Sequence, residues 1–392
     1  MKRFLLFLLL LLIPTQLGKH FWFDWSLVLG IRVDYLSSTL YLIDLIWLGL
    51  FFLNLKIPVL KFKHFLVIGF VIVNILIARD WQIAIYKWIR IFQLVWLVWY
   101  VVKNKELVER YLIKIIPIWM IVESLLAVGQ ISKGGSLNGI WWWLGERAFD
   151  FNTIGIAQMS IIGNGLVRAY GTFSHPNSLA GFLLISLILW WKYKNEIKNK
   201  IYWWGVVWLG LMGIILTGSR TIWVLTLMVL VLFFRGLKNK WKVGLLILGL
   251  LFFAFKIIDY NYPIGNFLGG WDENGLIKRG QLNLAAIEMV KNSPIFGVGT
   301  GNFLVNLPEF QKNNQIFWLQ PVHNIILLIV SEIGFLGLGI LIYFLAEYLN
   351  KKKVKSVFVL ILGIIMMSGM VDHYWLTLPQ NMWLVALILG II

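Results

Sequence analysis

Long apolar stretches, separated by short polar segments, follow one another along the whole chain. A helix needs about 20 apolar residues to cross the hydrocarbon core of a bilayer, and about twelve stretches approach that length, although the third and the last are shorter. These stretches lie at residues 4–17, 36–55, 64–79, 84–102, 112–131, 174–191, 201–217, 221–235, 243–258, 321–346, 356–370 and 381–392. The pattern predicts an all-α, polytopic transmembrane helical bundle of about 12 spans.

The composition agrees with a membrane location. The chain has 392 residues, of which 60% are hydrophobic and 14% are charged, whereas about 25% charged residues are usual in a soluble protein. Its 22 Trp residues include clusters at 141–143, 190–191 and 203–204, near the ends of apolar stretches, where helices cross the headgroup layer. There is no cysteine, which excludes disulfides, thiol catalysis and thiolate metal sites.

The distribution of positive charge predicts the orientation in the membrane. The net charge is +17, and such a value also occurs in nucleic-acid-binding proteins. Here most Lys and Arg residues lie near the N-terminus and in alternate short loops, as in the cytoplasmic loops of membrane proteins. These loops are residues 56–63, 103–114, 192–200, 235–242 and 347–355. We therefore expect both chain ends in the cytoplasm and no nucleic-acid partner.

The predicted external side carries the two longest polar segments, at about 132–173 and 259–320. We predict a single membrane domain over residues 1–392, with 259–320 as an external loop embedded in it. Inside this loop, apolar residues at helical spacing predict an amphipathic helix over 279–291, which Pro294 ends. The apolar face consists of Leu282, Ala285, Ala286, Met289 and Val290. We expect this helix to lie at the outer membrane surface and cover a cavity.

Three arginines on the external side are candidates for ligand binding. Arg168 and Arg220 lie at external ends of apolar stretches, and Arg279 begins the predicted external helix. Charged side chains at membrane depth are costly and indicate function, although each could instead extend towards the headgroups. Almost no loop separates the two apolar stretches on either side of Arg220, so we expect its side chain to face a cavity and an anion. A guanidinium donates paired hydrogen bonds to phosphate, and several would suit a diphosphate.

Two histidines are candidates for proton transfer or substrate contact. His323 follows Pro321 at the external start of a long apolar stretch. Imidazole exchanges protons near neutral pH, so His323 could activate an acceptor hydroxyl; the alternative is a capping or packing residue. His175, near Arg168, is a weaker catalytic candidate, and its alternative roles are a structural turn or a substrate contact. His373 has no predicted partner.

Three other patterns are set aside. The glycines at 297–301 lack the Lys-Ser/Thr of a nucleotide-binding loop and a preceding strand, so they indicate a turn that permits close backbone packing. Asp272 and Glu273 have no neighbouring ligand in the sequence. The glycines at 334, 337 and 339 are typical of helix packing. We predict no metal site and no cofactor.

Four blocks of residues carry a family resemblance. They are Arg168–Ala180 (RAYGTFSHPNSLA), Ser219–Thr221, Arg279–Phe303, which contains Ala286–Pro294 and the glycine turn, and His323–Gly337 (HNIILLIVSEIGFLG). Their order and external placement resemble the O-antigen ligase and O-antigen polymerase superfamily of bacterial envelope enzymes. The blocks fall within residues 168–337, and the rest of the chain is similar only in topology.

The resemblance implies a glycosyltransferase of polysaccharide or lipopolysaccharide biosynthesis. It implies a multi-pass protein of the bacterial cytoplasmic (inner) membrane, which transfers a glycan from undecaprenyl diphosphate to a lipid or glycan acceptor at the periplasmic face. The implied reaction is metal-independent and inverts the anomeric carbon. By position, Arg220 and Arg279 bind the donor diphosphate, Arg168 is a further candidate for it, and His323 is the base. Further substrate contacts expected in the matching blocks are His175, Asn177 and Asn324.

The sequence leaves alternatives open. A ligase passes the glycan to a surface carrier, whereas a polymerase extends one lipid-linked glycan with another; the block that starts at His323 favours the ligase type. A lipid-linked glycan flippase or transporter is a further alternative, but such proteins often have internal repeats and broken helices at the membrane midplane, and we detect no repeat. A structural scaffold would not require Arg220 between two apolar stretches.

Overall fold

Helices make up most of the part of the chain that the computed structural model describes, which is residues 1–55, 62–161, 164–234, 273–311, 319–352 and 354–392. The helices are α1 (Lys2–Leu11), α2 (Leu42–Leu53), α3 (Phe62–Leu76), α4 (Trp81–Lys103), α5 (Lys105–Lys133), α6 (Pro176–Lys192), α7 (Lys200–Leu216), α8 (Arg220–Phe234), α9 (Glu273–Asn292), α10 (Phe303–Phe310), α11 (Ile325–Asn350), α12 (Ser356–Gly369), α13 (Tyr374–Thr377) and α14 (Pro379–Ile391). This confirms the prediction that the chain is mostly helical.

Within the described residues, three helices are long and apolar enough to cross a membrane: α4, α5 and α11. Six more apolar helices have 10–17 residues: α2, α3, α7, α8, α12 and α14. The number of about 12 spans therefore stays a prediction, and the predicted stretch at 243–258 lies outside the described residues. The single-domain organisation also stays a prediction.

Helix α6 lies at the centre of the bundle and is buried along almost its whole length, from Pro176 to Trp190. It packs against α5, α7, α8 and α12, while α14 packs along α4. Proline occupies the first position of α6 and α14. Its missing N–H costs nothing there, because the N–H of a first-turn residue has no partner within the helix. The first turns of α6 and α14 lie together, because Ser178 and Asn381 are joined by hydrogen bonds.

Short antiparallel strands join helices on the predicted external side, and the sequence did not predict them. They are β1 (Gly18–Phe21), β2 (Leu27–Val28), β3 (Ile31–Arg32), β4 (Ser38–Tyr41), β5 (Gln158–Ile161) and β6 (Asn164–Val167). They form three two-stranded sheets, which pair β1 with β4, β2 with β3 and β5 with β6. Because β4 occupies 38–41, the helix predicted from residue 36 begins only at Leu42.

The predicted amphipathic helix is confirmed as part of α9. Leu282, Ala285, Ala286 and Met289 are buried, and Val290 is half-buried. Their face packs against external residues near 28–36, against α10 and against the start of α11. The helix ends at Asn292, two residues before Pro294, as expected. The remaining parts of the predicted loop 259–320, at 259–272 and 312–318, lie outside the described residues.

The glycine turn 297–301 packs on a break in α11, as close backbone packing predicts. Gly334 has a φ of 65° and interrupts the helix. The carbonyls that this break frees, those of Ser331 and Glu332, accept hydrogen bonds from the N–H groups of Val298 and Gly299 at 2.9 and 3.0 Å. The N–H groups of the two residues after Gly334 donate to the carbonyls of 294 and 295. The turn thus satisfies backbone groups that lipid could not.

Replacing Gly334 by alanine is expected to destabilise the protein. A Cβ atom at Gly334 would lie 2.2 Å from the Ile295 carbonyl oxygen, and the positive φ disfavours alanine. The expected cost is about 2 kcal/mol or more, measured as a lower midpoint of thermal unfolding in detergent. Gly339→Ala is the control on the same helix, because a Cβ there meets no atom within 4 Å. Equal midpoints for the two variants would contradict this explanation of the break.

Candidate functional site

A buried polar loop at 168–177 forms one wall of the candidate site. Gly171 lies at its bend with a φ of 57°, and a Cβ there would lie 2.2 Å from Glu123 Oε2, so glycine is required. Thr172 donates its N–H and its hydroxyl to the Glu123 carboxylate at 2.9 and 2.7 Å. The side chain of Gln130 accepts from the N–H groups of Tyr170 and Gly171 and donates to the Gly171 carbonyl. Two polar residues of α5 therefore fix the loop.

A chain of hydrogen bonds links this loop to the segment between α12 and α13. Arg168 donates from Nη2 to Asn177 Oδ1 at 2.6 Å and from Nε to the Thr217 carbonyl at 2.6 Å. Asn177 donates from Nδ2 to Asp372 Oδ2 at 2.8 Å. The other carboxylate oxygen of Asp372 accepts from the N–H of His373 at 2.8 Å. Asp372 is buried, so these bonds compensate the cost of burying its charge.

Two histidines face each other beside this carboxylate. The rings of His323 and His373 have centroids 5.0 Å apart. His373 Nδ1 lies 2.7 Å from the Thr377 hydroxyl. The His373 ring packs edge-on against Tyr35. His323 Nδ1 is buried, with no hydrogen-bond partner among the described residues. A buried polar atom without a partner is rare in a folded protein and often marks a functional position.

The protonation states in this cluster follow from burial and charge. Burial lowers the pKa of His175, His323 and His373, to about 4 in each case, and the Asp372 carboxylate opposes that effect. Burial raises the pKa of Asp372, but the neighbouring imidazoles and the Asn177 amide lower it more strongly, to about 2. Near neutral pH the three rings are therefore neutral and able to accept a proton, and Asp372 is ionised.

The predicted arginines lie around the same cluster. Burial lowers the pKa of Arg168 to about 10, and the charge of Arg220 lowers it further, so the two guanidinium groups are close enough to interact. The charge of Arg279 lowers the pKa of all three histidines. Arg220 is exposed at the start of α8, and Arg279 is half-buried on α9. The structure thus gathers the predicted arginines and His323 in one region.

The other predicted contacts have structural roles. His175 is the N-cap of α6, and its Nδ1 accepts from the N–H of Asn177 at 3.2 Å. Asn324 is the N-cap of α11, and its Oδ1 accepts from the N–H groups of Ile326 and Leu327. Such caps satisfy the free donors at a helix start. A substrate contact by His175, Asn177 or Asn324 stays a prediction.

The interpretation that His373 lacks a partner is wrong, and Asp372 was missed altogether. Both residues lie between the apolar stretches at 356–370 and 381–392. The positive-inside pattern places that short segment on the same external side as His323. An adjacent Asp and His there, next to two apolar stretches, was the signal available in the sequence. Gln130 and Glu123 carry a similar signal, because they are polar residues inside an apolar stretch.

Three residues of this cluster could hold a metal ion. One ligand atom from each of His323, Asp372 and His373 lies within 4.8 Å of the others, and two of the residues are buried. Neutral imidazole and carboxylate are suitable ligands for zinc and similar ions. The absence of a metal site, which we expected from the sequence, therefore stays a prediction.

A comparison with known protein families matches one continuous region of the chain. A family model described as O-antigen ligase matches residues 205–342. Over these residues the chain is similar to the O-antigen ligase family. The match spans a little over a third of the chain and includes Arg220, Arg279 and His323, which confirms the resemblance stated from the sequence. No curated protein and no solved structure matches the chain. Arg168, Asn177 and Asp372 lie outside the matched region and join the candidate site through the contacts above.

The Gln130→Leu variant should loosen the 168–177 loop. Its side chain provides hydrogen bonds to three backbone groups of the loop and to Glu146, and each buried group left unsatisfied costs about 1–3 kcal/mol. We expect faster amide hydrogen exchange in residues 168–177. The control is Ser186→Ala in α6, because the buried Ser186 hydroxyl has no partner among the described residues. Unchanged exchange in Gln130→Leu would show that other contacts hold the loop.

Proposed function

We propose that the chain transfers a glycan from undecaprenyl diphosphate to an acceptor hydroxyl at the external face of the cytoplasmic membrane, as an O-antigen ligase-type enzyme. The O-antigen ligase family match supports a ligase- or polymerase-type membrane enzyme. One observation carries the finer proposal: His323, whose Nδ1 has no partner among the described residues, lies beside Asp372 and His373 and within reach of the charge of Arg279. This arrangement pairs a base with an anion-binding surface.

The proposed reaction is a direct displacement. The acceptor oxygen attacks the anomeric carbon of the donor sugar, the bond from that carbon to the diphosphate oxygen breaks, and the configuration inverts. His323 takes the proton of the acceptor hydroxyl. Arg168, Arg220 and Arg279 stabilise the negative charge that develops on the departing diphosphate, which lowers the barrier because the donors are already oriented.

Asp372 supports His323 without touching the sugar. Its carboxylate favours the imidazolium that forms when His323 takes the proton, and its bond to Asn177 also orients Arg168. A metal ion bound to His323 would occupy the lone pair that the proton needs. We therefore propose a reaction without a metal.

A polymerase is the second candidate, because its reaction needs the same base and the same diphosphate site. The two functions differ in the acceptor: a polymerase extends a second undecaprenyl-linked glycan. A deletion strain separates them, since loss of long polymer indicates a polymerase and accumulation of unattached polymer indicates a ligase.

Replacing the base and the arginines should have different effects in a reconstituted assay with purified protein. His323→Ala is expected to lower the rate of transfer by about 10²–10⁴-fold while donor binding persists. Arg220→Lys and Arg279→Lys should weaken donor binding by roughly tenfold, because the paired hydrogen bonds are lost.

The matched control for those variants is Arg79→Lys. Arg79 is also external, but it forms an exposed ion pair with Glu309, away from the histidines. Wild-type transfer by His323→Ala would overturn its assignment as base, and undiminished donor binding by both arginine variants would overturn the diphosphate assignment.

The pH dependence of transfer should report the buried imidazole. His323 acts only when it is unprotonated, and its pKa in the free protein is lowered to about 4. The acid limb of kcat/KM should therefore lie below pH 6.5. A bound diphosphate adds negative charge and raises the pKa, so the acid limb of kcat should lie at higher pH than that of kcat/KM. Coincident limbs at or above pH 6.5 would contradict this assignment.

A further inference from the structure

A group of four lysines lies at the opposite end of α6 from the candidate site. Lys192 is the last residue of α6, Lys105 is the first residue of α5, and Lys352 and Lys355 lie in the connection from α11 to α12. The ammonium group of Lys105 is within electrostatic reach of the other three. Three separate parts of the chain therefore bring the same charge to one place, which we call the lysine cluster.

Lys192 joins the cluster to α5 and α12. Its ammonium group donates to Glu109 Oε1 at 2.7 Å and lies 5.4 Å from the centroid of the Phe358 ring. The side chain of Lys192 is only 14% exposed. These contacts fix the position of Lys192, and the Glu109 carboxylate balances its charge.

The end of α14 holds two other members of the cluster. Lys105 donates from Nζ to the Ile392 carbonyl oxygen at 3.1 Å. The Tyr348 hydroxyl of α11 donates to the Leu389 carbonyl at 2.6 Å, and Lys352 Nζ lies 5.4 Å from the centroid of the Tyr348 ring. Lys105 and Lys352 therefore occupy defined positions beside α14.

The contacts of the cluster leave most of its positive charge unbalanced. Glu109 is the one acidic side chain in the contacts above. Among the described residues, no carboxylate side chain forms an ion pair with Lys105, Lys352 or Lys355. Like charges held close together repel, and an anion placed between them removes that cost. The cluster therefore matches an anionic ligand with strong hydrogen-bond acceptors, such as a phosphate group.

The surroundings of the cluster indicate that this phosphate belongs to a lipid. The lysines lie on the predicted cytoplasmic side, where the headgroups of the inner leaflet lie. Leu345 of α11 and Val359 of α12, about one to two turns from the cluster, are 39% and 59% exposed. An acyl chain attached to the phosphate would cover these positions, whereas a soluble phosphate would not. Basic pockets between the cytoplasmic ends of membrane helices are suited to anionic lipid headgroups.

We propose that the lysine cluster binds the phosphate of an anionic phospholipid from the cytoplasmic leaflet. The phosphate contacts Lys105, Lys352 and Lys355, and the acyl chains lie along α11 and α12. The bound lipid joins the ends of α5, α11 and α12 through their charges and stabilises the bundle at the end opposite the candidate site. The cluster shares no residue with that site, so this inference is independent of the proposed function.

Native mass spectrometry of the full-length protein in detergent tests this proposal. The protein is titrated with phosphatidylglycerol, and the retained lipid molecules are counted. The triple variant Lys105→Gln, Lys352→Gln and Lys355→Gln should bind the first phosphatidylglycerol roughly tenfold more weakly, because three charge-assisted contacts with the phosphate are lost. Lys192 stays unchanged in this variant, because its contacts are structural.

The matched control is the triple variant Lys2→Gln, Lys114→Gln and Lys198→Gln. These lysines are exposed, lie on the predicted cytoplasmic side and carry the same total charge as the three replaced in the cluster. The control should bind the first phosphatidylglycerol as the wild-type protein does. An equal loss in both triple variants would mean general attraction between basic loops and anionic lipid, and it would overturn the proposed site. Wild-type binding by the cluster variant would overturn it as well.

Two further measurements identify the ligand. Phosphatidylcholine, whose phosphate is neutralised by its choline group, should bind roughly tenfold more weakly than phosphatidylglycerol. Inorganic phosphate in large excess should not displace the bound lipid. Displacement by inorganic phosphate would assign the cluster to a soluble anion, and equal binding of phosphatidylcholine would show that the net charge of the headgroup has no effect. Either result would overturn the proposal.

Thermal unfolding provides a second readout that includes the effect on the fold. Phosphatidylglycerol should raise the unfolding midpoint of the wild-type protein and of the control, but not that of the cluster variant. Should the cluster variant not fold, Lys355→Gln at an exposed position gives the same test, with an expected loss of affinity of roughly threefold. An equal rise in the midpoints of wild type and cluster variant would contradict the proposed role of the lipid.

Discussion

The buried carboxylate of Asp372 joins parts of the chain that are far apart in the sequence. Through Asn177 it connects to Arg168, and through Arg168 to the end of α7. An ionised carboxylate inside a protein is stable only when donors and positive charges surround it. Asp372, Asn177 and Arg168 therefore depend on one another, and their hydrogen bonds position the histidines beside them.

The same electrostatic constraint explains how the histidines can act as bases. The three imidazoles lie close together and are largely shielded from water, which favours their neutral forms. The carboxylate favours the ring that receives a proton. The arginines add positive charge that an anionic substrate would neutralise. Binding of a diphosphate would thus both fill the anion site and make the neighbouring base stronger, which couples the two halves of the proposed reaction.

Polar backbone at two bends of the chain is tolerated because other parts of the protein cover it. The break at Gly334 is paired by the glycine turn 297–301, and the bend at Gly171 is held by two polar residues of α5. In both places glycine permits an approach that a side chain would block. These contacts fix the external segments against the ends of the helices and so fix the walls of the site.

Much of this could be predicted from local patterns. Apolar periodicity gave most of the helices and the buried face of α9, and charge placement identified Arg220, Arg279 and His323 as unusual. The three small sheets were not predictable, because strands such as β1 and β4 depend on pairing between separated segments. Asp372 and His373 were missed because a buried hydrogen-bond network is defined by tertiary contacts and not by local spacing.

The proposed site holds the donor diphosphate against the arginines and the acceptor hydroxyl next to His323. The most direct test is an experimental structure of the protein with an undecaprenyl diphosphate analogue that cannot transfer its sugar. We predict that the diphosphate lies against Arg168, Arg220 and Arg279, with the anomeric carbon facing His323. A diphosphate bound away from these three arginines, with its anomeric carbon out of reach of His323, would contradict this arrangement.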